Sequence, residues 1–306
     1  MARYVRVASI SFSGAGVGET ASEKVENNVN GIIRLLRIAL LESPDIVCLP
    51  ECAPMLGLTM EESVSAAEEV PNAIFERVAQ LAKGHKAYII CPMMVRRGGR
   101  VYNSALLIGR DGSLVGSYEK VHPTIWELEA GVTPGFEARP FNLDFGRVGF
   151  AICFDLNFDD VMRALCHKGV KLVFFPSMYR GGLQLKIWAF NCGAYVISSF
   201  TGEGSEIVSP LGKTLVSSSR YQPIICRDLN LDYEILHLDY NNEKLELMKE
   251  RYGYDARVEV AEPEGVFMLS YEGKFFNVGD LVEEFGLETR DHYFERALSA
   301  RERTLR

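Results

Sequence analysis

Arg147-Val148-Gly149-Phe150-Ala151-Ile152-Cys153-Phe154-Asp155 reads as a buried strand that ends in a cysteine and leads into a helical segment holding Val161, Met162 and Leu165. In α/β folds the reactive groups gather where strands end. A nucleophile on a strand-to-helix turn has backbone N–H groups beside it. A cysteine in so apolar a setting is more often an inert buried thiol, so Cys153 assigns nothing alone. Two further segments upstream share its form. Ile46-Val47-Cys48-Leu49-Pro50-Glu51 puts a carboxylate directly after an apolar strand, where it must be exposed, paired or functional. Tyr118-Glu119-Lys120-Val121-His122-Pro123-Thr124-Ile125-Trp126-Glu127 ends another strand in a lysine. Taken singly, Lys120 and Glu127 would be solvated charges.

Around these segments, strand and helix patterns interleave. Val5–Phe12 alternates as a strand, and Ser22–Leu41 carries Val25, Val29, Ile32, Ile33, Leu36 and Leu40 at helical spacing. A second helical run, Pro71–Lys83, leads into a strand over Ala87–Pro92. Val101–Ile108 and Leu114–Tyr118 flank Arg110-Asp111-Gly112-Ser113, a hairpin signal. Further strands are expected at Leu172–Phe175, Ala194–Ser199, Glu206–Val208, Lys213–Val216 and Ile235–Leu238. The pattern predicts α/β layers with mixed sheets in one domain. The segment after Asn241 is more charged and less periodic, and Asp291–Arg306 reads as an exposed charged helix or a frayed tail, the latter preferred. Gly14-Ala15-Gly16-Val17-Gly18 imitates a dinucleotide-binding turn, but Glu19 stands where the third glycine is required and no acidic residue follows at the ribose position. A flexible loop is expected there.

Together the three strand-end segments resemble the nitrilase superfamily of carbon–nitrogen hydrolases, which uses a Glu-Lys-Cys triad in this chain order. The matching residues are Glu51 in Leu-Pro-Glu, Lys120 in Tyr-Glu-Lys-Val-His-Pro-Thr, and Cys153 in Ile-Cys-Phe-Asp. Tyr102-Asn103-Ser104-Ala105 with Gly112, and Ser205 through Pro210-Leu211-Gly212, match the family as well. The resemblance runs from about Val5 to Asp239. It implies an α/β fold, a four-layer αββα sandwich of the nitrilase type, commonly paired into a dimer or larger homo-oligomer. On this basis residues 1–265 are expected to form the hydrolase domain and 266–306 an extension that wraps it or a partner subunit. The family's second glutamate falls on Glu127, with Glu129 competing. Trp188-Ala189-Phe190-Asn191-Cys192 departs from the family's usual Arg-Ala-x-Glu-Asn.

The chemistry implied is cleavage of a non-peptide carbon–nitrogen bond in a small linear amide through a Cys153 thioester, without metal or cofactor. Alternatives are a nitrilase, an N-carbamoyl amine or amino-acid amidohydrolase, and a catalytically silent interaction module. A free thiol titrates near 8.5 and a free glutamate near 4.3, so unassisted proton transfer between them costs about 6 kcal/mol. Burial is expected to raise Glu51, and the Lys120 charge to lower Cys153. Lys120 and the backbone N–H of Phe154 would hold the oxyanion, and Glu127 would orient Lys120. Trp126, Asn157, Tyr179 and Arg180 are the expected substrate-pocket residues. Leu156 and Asn157 replace the arginines that carboxylate-gripping members place after the cysteine motif. A Cys-His protease using His122 or His167 lacks an evident orienting residue.

The 306 residues are 47% apolar and 24% charged with a net charge of −8. This balance fits a globular chain and argues against a nucleic-acid partner. No apolar stretch reaches the ~20 residues of a membrane helix, and the N-terminus lacks the apolar core of a signal peptide. An odd count of seven cysteines in apolar contexts predicts reduced thiols in a cytoplasmic protein. Without a Cys-x-x-Cys pair or spaced histidines, no metal site is expected.

Overall fold

The computed structural model describes residues 2–305; Met1 and Arg306, the outer ends of the expected domain and extension, lie outside the described residues. Residues 6–227 form one compact unit, and the segment after Arg227 forms a second together with the residues before Arg6.

The larger unit is built on two sheets. The first takes β1 (Tyr4–Ile10), β2 (Ile46–Cys48), β3 (Tyr88–Arg97), β4 (Arg100–Ile108) and β5 (Leu114–Glu119). The second takes β6 (Phe141–Leu143), β7 (Gly146–Phe150), β8 (Leu172–Ser177), β9 (Tyr195–Phe200), β10 (Glu206–Val208) and β11 (Thr214–Ser217). With β12 (Ile224–Asn230) at its edge, the first sheet runs β12-β1-β2-β3-β4-β5; the second runs β11-β10-β9-β8-β7-β6. β1, β2 and β3 are parallel, as are β7, β8 and β9, while β3–β4–β5 and β6–β7 pair antiparallel. The parallel strands are near-continuous apolar runs because both of their faces are covered.

Three helices accompany the first sheet: α1 (Ala21–Leu40), α2 (Met60–Ser65) and α3 (Ala73–His85). Thr20 and Glu23 form a capping box that starts α1. Its buried stripe, Val29, Ile32, Ile33, Leu36 and Leu40, shares one core with Phe75 and Val78 of α3 and with Val47, Ile89 and Leu106 of the sheet. After β5 comes the short α4 (Ile125–Glu129); α5 (Asp159–Cys166) and α6 (Leu183–Cys192) follow β7 and β8. α5 lies so close to the second sheet that a Cβ on Gly149 would stand 2.7 Å from the Leu165 side chain. The two sheets meet through polar stitches: Ser9 Oγ donates to the Ser198 carbonyl at 2.6 Å, and Ser199 Oγ to the Cys48 carbonyl at 3.0 Å. Helices, sheet, sheet and helices give the expected four-layer αββα order.

The smaller unit has its own sheet, β13-β15-β14, made of β13 (Tyr233–His237), β14 (Ala256–Ala261) and β15 (Val266–Tyr271). It adds α7 (Leu245–Tyr252), α8 (Val278–Glu284) and α9 (Arg290–Thr304). Leu236, Met248, Phe267, Leu269, Tyr271 and Leu281 form its core.

The compact units divide at 227/228, and β15, central in the small sheet, ties β13 to residues beyond 265. Two expectations are corrected. The tail preferred as frayed is helical over Arg290–Thr304, capped by Thr289. The cysteines are not all free thiols: Cys166 and Cys192, 26 residues apart, form a disulfide between the ends of α5 and α6. That pairing depends on two helices packing together, which no local spacing reveals. Gly14–Gly18 is an irregular loop, held where Ala15 N–H donates to Asn28 Oδ1 at 2.7 Å. Among the described residues, no helix is long and apolar enough to cross a membrane.

Candidate active site

Strands of both sheets deliver their chain exits to one place. β2 ends three residues before Glu51, β5 ends immediately before Lys120, β7 runs through Ala151 and Ile152 to Cys153, and β8 ends at Ser177, next to Met178. Glu51, Lys120 and Glu127 are all 2–3% exposed. Lys120 Nζ donates to Glu51 Oε1 at 2.9 Å and to Glu127 Oε2 at 2.8 Å. Asn103, on β4, repeats the bridge: its Nδ2 donates to Glu51 Oε1 and to Glu127 Oε1, each at 2.8 Å. The Met178 backbone N–H donates to Glu51 Oε2 at 2.9 Å.

Glu127 sits where it does because of a helix start. Thr124 caps α4, its N–H donating to Glu127 Oε2 at 2.7 Å while Glu127 N–H returns a bond to Thr124 Oγ1. Glu129 is exposed, whereas Glu127 is buried beside Lys120. Burial alone would raise Glu127, yet the Lys120 charge and the donors on Lys120, Asn103 and Thr124 hold it below the usual carboxylate range. Burial likewise opposes the Lys120 ammonium, but Glu51 and Glu127 outweigh it and hold its pKa above the ordinary lysine value.

Cys153 opens a 3-10 turn over Cys153–Asn157 and stands at φ 50°, a left-handed conformation that a non-glycine residue seldom adopts. Its thiol faces Glu51, Lys120 and the Met178 backbone. The Lys120 charge does lower this thiol's pKa, as expected, but it does not set the net shift. Burial pushes it up to about 12, the Glu51 charge adds to the rise, and Lys120 offsets only part. In the resting cluster Cys153 is therefore a thiol. His122 has the carboxylate partner that the sequence did not reveal, Asp160 at 3.0 Å, and stacks on Phe158.

A cleft of about 340 Å³ opens onto the cluster, lined by Glu51, Asn103, Lys120, Glu127, Cys153 and an apolar wall that includes Trp126. Of the expected pocket residues only Trp126 is part of this lining; Phe154, Asn157, Tyr179 and Arg180 are not. Asn157 instead fastens the turn, donating to the Phe154 carbonyl at 3.1 Å and accepting from Gln184 of α6 at 2.8 Å. Tyr179 packs edge-on against Phe175, and Arg180 lies over the Phe200 ring. Among the described residues, no group of three or more His, Cys, Asp and Glu side chains could hold a metal ion.

The carbon–nitrogen hydrolase family model matches residues 6–235 of this chain. The protein is a carbon–nitrogen hydrolase. It is 25% identical over 236 residues to omega-amidase NIT2 of Xenopus tropicalis, a match that spans 67% of this chain and 84% of that one. The fold of this hydrolase matches Saccharomyces cerevisiae Nit3, a member of branch 10 of the nitrilase superfamily, with TM-score 0.66, 19% identity and coverage of 82% and 95%. It also matches an amidase from Nesterenkonia sp. with TM-score 0.65, 18% identity and coverage of 81% and 96%.

In this hydrolase, sequence reading passed over Asp155. It is fully buried and joins the cysteine turn to the lysine segment. Its Oδ2 accepts from Ile152 N–H at 2.9 Å and Tyr118 Oη–H at 2.7 Å, and its Oδ1 from His122 N–H at 2.8 Å. Burial raises its pKa to about 6 against the pull of those three donors. An unfolded aspartate titrates near 3.9. Between about 3.9 and 6 the folded state holds the extra proton, so this group's stabilising contribution grows as pH falls and is lost as pH rises through about 6. Protonation nevertheless removes acceptor capacity from the junction. Activity on an amide is expected to fall as pH drops through about 6 while circular dichroism stays unchanged. Asp155→Asn should lower kcat roughly 10- to 100-fold at neutral pH with KM little moved, and should lose that acid limb. An identical acid limb in wild type and variant would refute the assignment.

Proposed function

We propose that this hydrolase cleaves small linear amides through a thioester on Cys153, with Glu51 as general base and acid, Lys120 as oxyanion donor and Glu127 as its orienting partner. The observation that carries this reading is the buried Glu51–Lys120–Glu127–Asn103 network facing the Cys153 thiol. Hydrogen-bond capacity assigns the roles. A carboxylate has about four acceptor positions. Glu51 uses three of them for Lys120, Asn103 and Met178, which leaves one on Oε2 for the thiol proton. A lysine ammonium has three N–H bonds, and Lys120 commits two to Glu51 and Glu127. The third remains for charge that develops on the substrate oxygen.

The steps then balance. Glu51 takes the proton from Cys153 Sγ as sulfur attacks the amide carbon. Because the resting group is a thiol, proton transfer and attack proceed together rather than from a standing thiolate. The carbonyl electrons move to oxygen, stabilised by Lys120 and the Phe154 N–H. Collapse breaks the carbon–nitrogen bond, and Glu51 returns its proton to the leaving nitrogen. Glu51 then deprotonates a water, which attacks the thioester; collapse breaks the carbon–sulfur bond, the carboxylic acid leaves, and Glu51 returns its proton to Cys153 Sγ.

The test combines ammonia release from a panel of small amides with intact-protein mass spectrometry. Acid and ammonia should appear one to one, and a slow substrate should leave an adduct of the amide mass less ammonia on Cys153. In Glu51→Gln turnover should fall by about 10²–10⁴-fold. No ammonia from any amide, or consumption of matched nitriles alone, would refute the reading.

A further inference from the structure

We propose that the substrate of this site is an amide with an uncharged, apolar acyl chain, and that amides carrying a free carboxylate are excluded. The inference rests on the amidase reading above and adds the substrate class. Beyond the reacting cluster, Met55, Leu58, Met60, Met94, Met178 and Trp126 line the cleft. Among the described residues, its charged groups are Glu51, Lys120 and Glu127, two carboxylates against one ammonium that both of them already bind.

A substrate carboxylate would thus leave water for an apolar wall beside a cluster of net negative charge, with no counter-ion to meet it. The remaining polar side chains are engaged elsewhere. Ser63 Oγ donates to the Thr59 carbonyl at 2.8 Å, Asn103 spends both N–H bonds on the glutamates, and Thr124 caps α4. Arg180, the cation that could have met an acidic substrate, is exposed and outside the lining. Lys24 lines a separate, smaller cleft and donates to the Gly57 carbonyl. Met55, Met60, Met94 and Met178 are unbranched and adaptable, so the wall should tolerate a range of chain lengths while rejecting charge.

Pentanamide and succinamate have similar length and differ at the far end in charge, so they form the test pair. Ammonia release should give a kcat/KM at least about 100-fold higher for pentanamide. Leu58→Lys, which puts a cation on a half-exposed wall position, should narrow that ratio by about tenfold, whereas Leu58→Gln should not. Equal or better turnover of succinamate by the wild type would overturn the proposal. Binding to Cys153→Ala by calorimetry separates this inference from the amidase reading. If neither amide is hydrolysed but the variant still binds pentanamide over succinamate, the reaction is misassigned and the cleft preference stands. If it binds succinamate as tightly, the cleft preference fails.

Discussion

Cys153→Ala is expected to lower kcat by at least about 10⁴-fold, the scale on which loss of a covalent nucleophile acts when the rest of a site is intact. Without sulfur there is no thioester, and the remaining route is direct attack by water. Lys120 and the backbone donors can still polarise the carbonyl, so a small residue of catalysis over water should survive. The fold should not suffer. Cys153 is only partly buried, and the Glu51–Lys120–Glu127–Asn103 network closes without it. Ammonia release and the thermal midpoint, measured together, check both halves. More than about one per cent of wild-type activity in a well-folded variant would mean that sulfur is not the nucleophile. Cys153→Ser is a second probe: its hydroxyl is harder to deprotonate than a thiol already pushed up to about 12, so it should be nearly as inactive.

The residues that carry charge were legible in sequence, and those that hold them in place were not. Glu51, Lys120 and Cys153 each stand just beyond an apolar strand, and that position is visible without coordinates. Glu127 could have been separated from Glu129 by one overlooked signal: Thr124-Ile125-Trp126-Glu127 is a capping-box pattern, which ties the glutamate three residues after the threonine to the helix start. Asn103 gave no such warning. It lies within β4 and becomes important only because sheet pairing sets it beside Glu51, 52 positions away in sequence. The apolar wall was missed for a similar reason. Met55, Leu58 and Met60 follow Glu51 through a 3-10 turn and the start of α2, where their spacing carries no period. The net rise at Cys153 was not legible because a sequence shows that Lys120 is charged but not that the thiol is packed against Glu51 and shielded from water. In the smaller unit, β15 is buried on both faces and so lacks the alternation by which strands are recognised.

Lys120→Met should be both inactive and markedly less stable, by about 3–5 kcal/mol at neutral pH, because it strands two buried carboxylates without their counter-ion. Methionine fills much of the same volume, so the cost is electrostatic rather than a cavity. The pH dependence distinguishes the two causes. In the wild type Glu127 has a lowered pKa, so its contribution to stability is present above about 4.3 and is lost as pH falls through its folded value. In the variant, two facing carboxylates raise one another. The folded state then takes up a proton more readily than the unfolded chain, and the variant gains stability as pH falls. The gap between variant and wild type in urea unfolding should therefore narrow between pH 7 and pH 5. Adding Glu127→Gln to Lys120→Met should restore part of the lost stability at pH 7, since the amide removes one of the stranded charges and keeps an acceptor for Asn103. Activity should not return, because the third N–H of Lys120 is still missing. A pH-independent gap would point to packing instead, and recovery of turnover in the double variant would remove Lys120 from the oxyanion role.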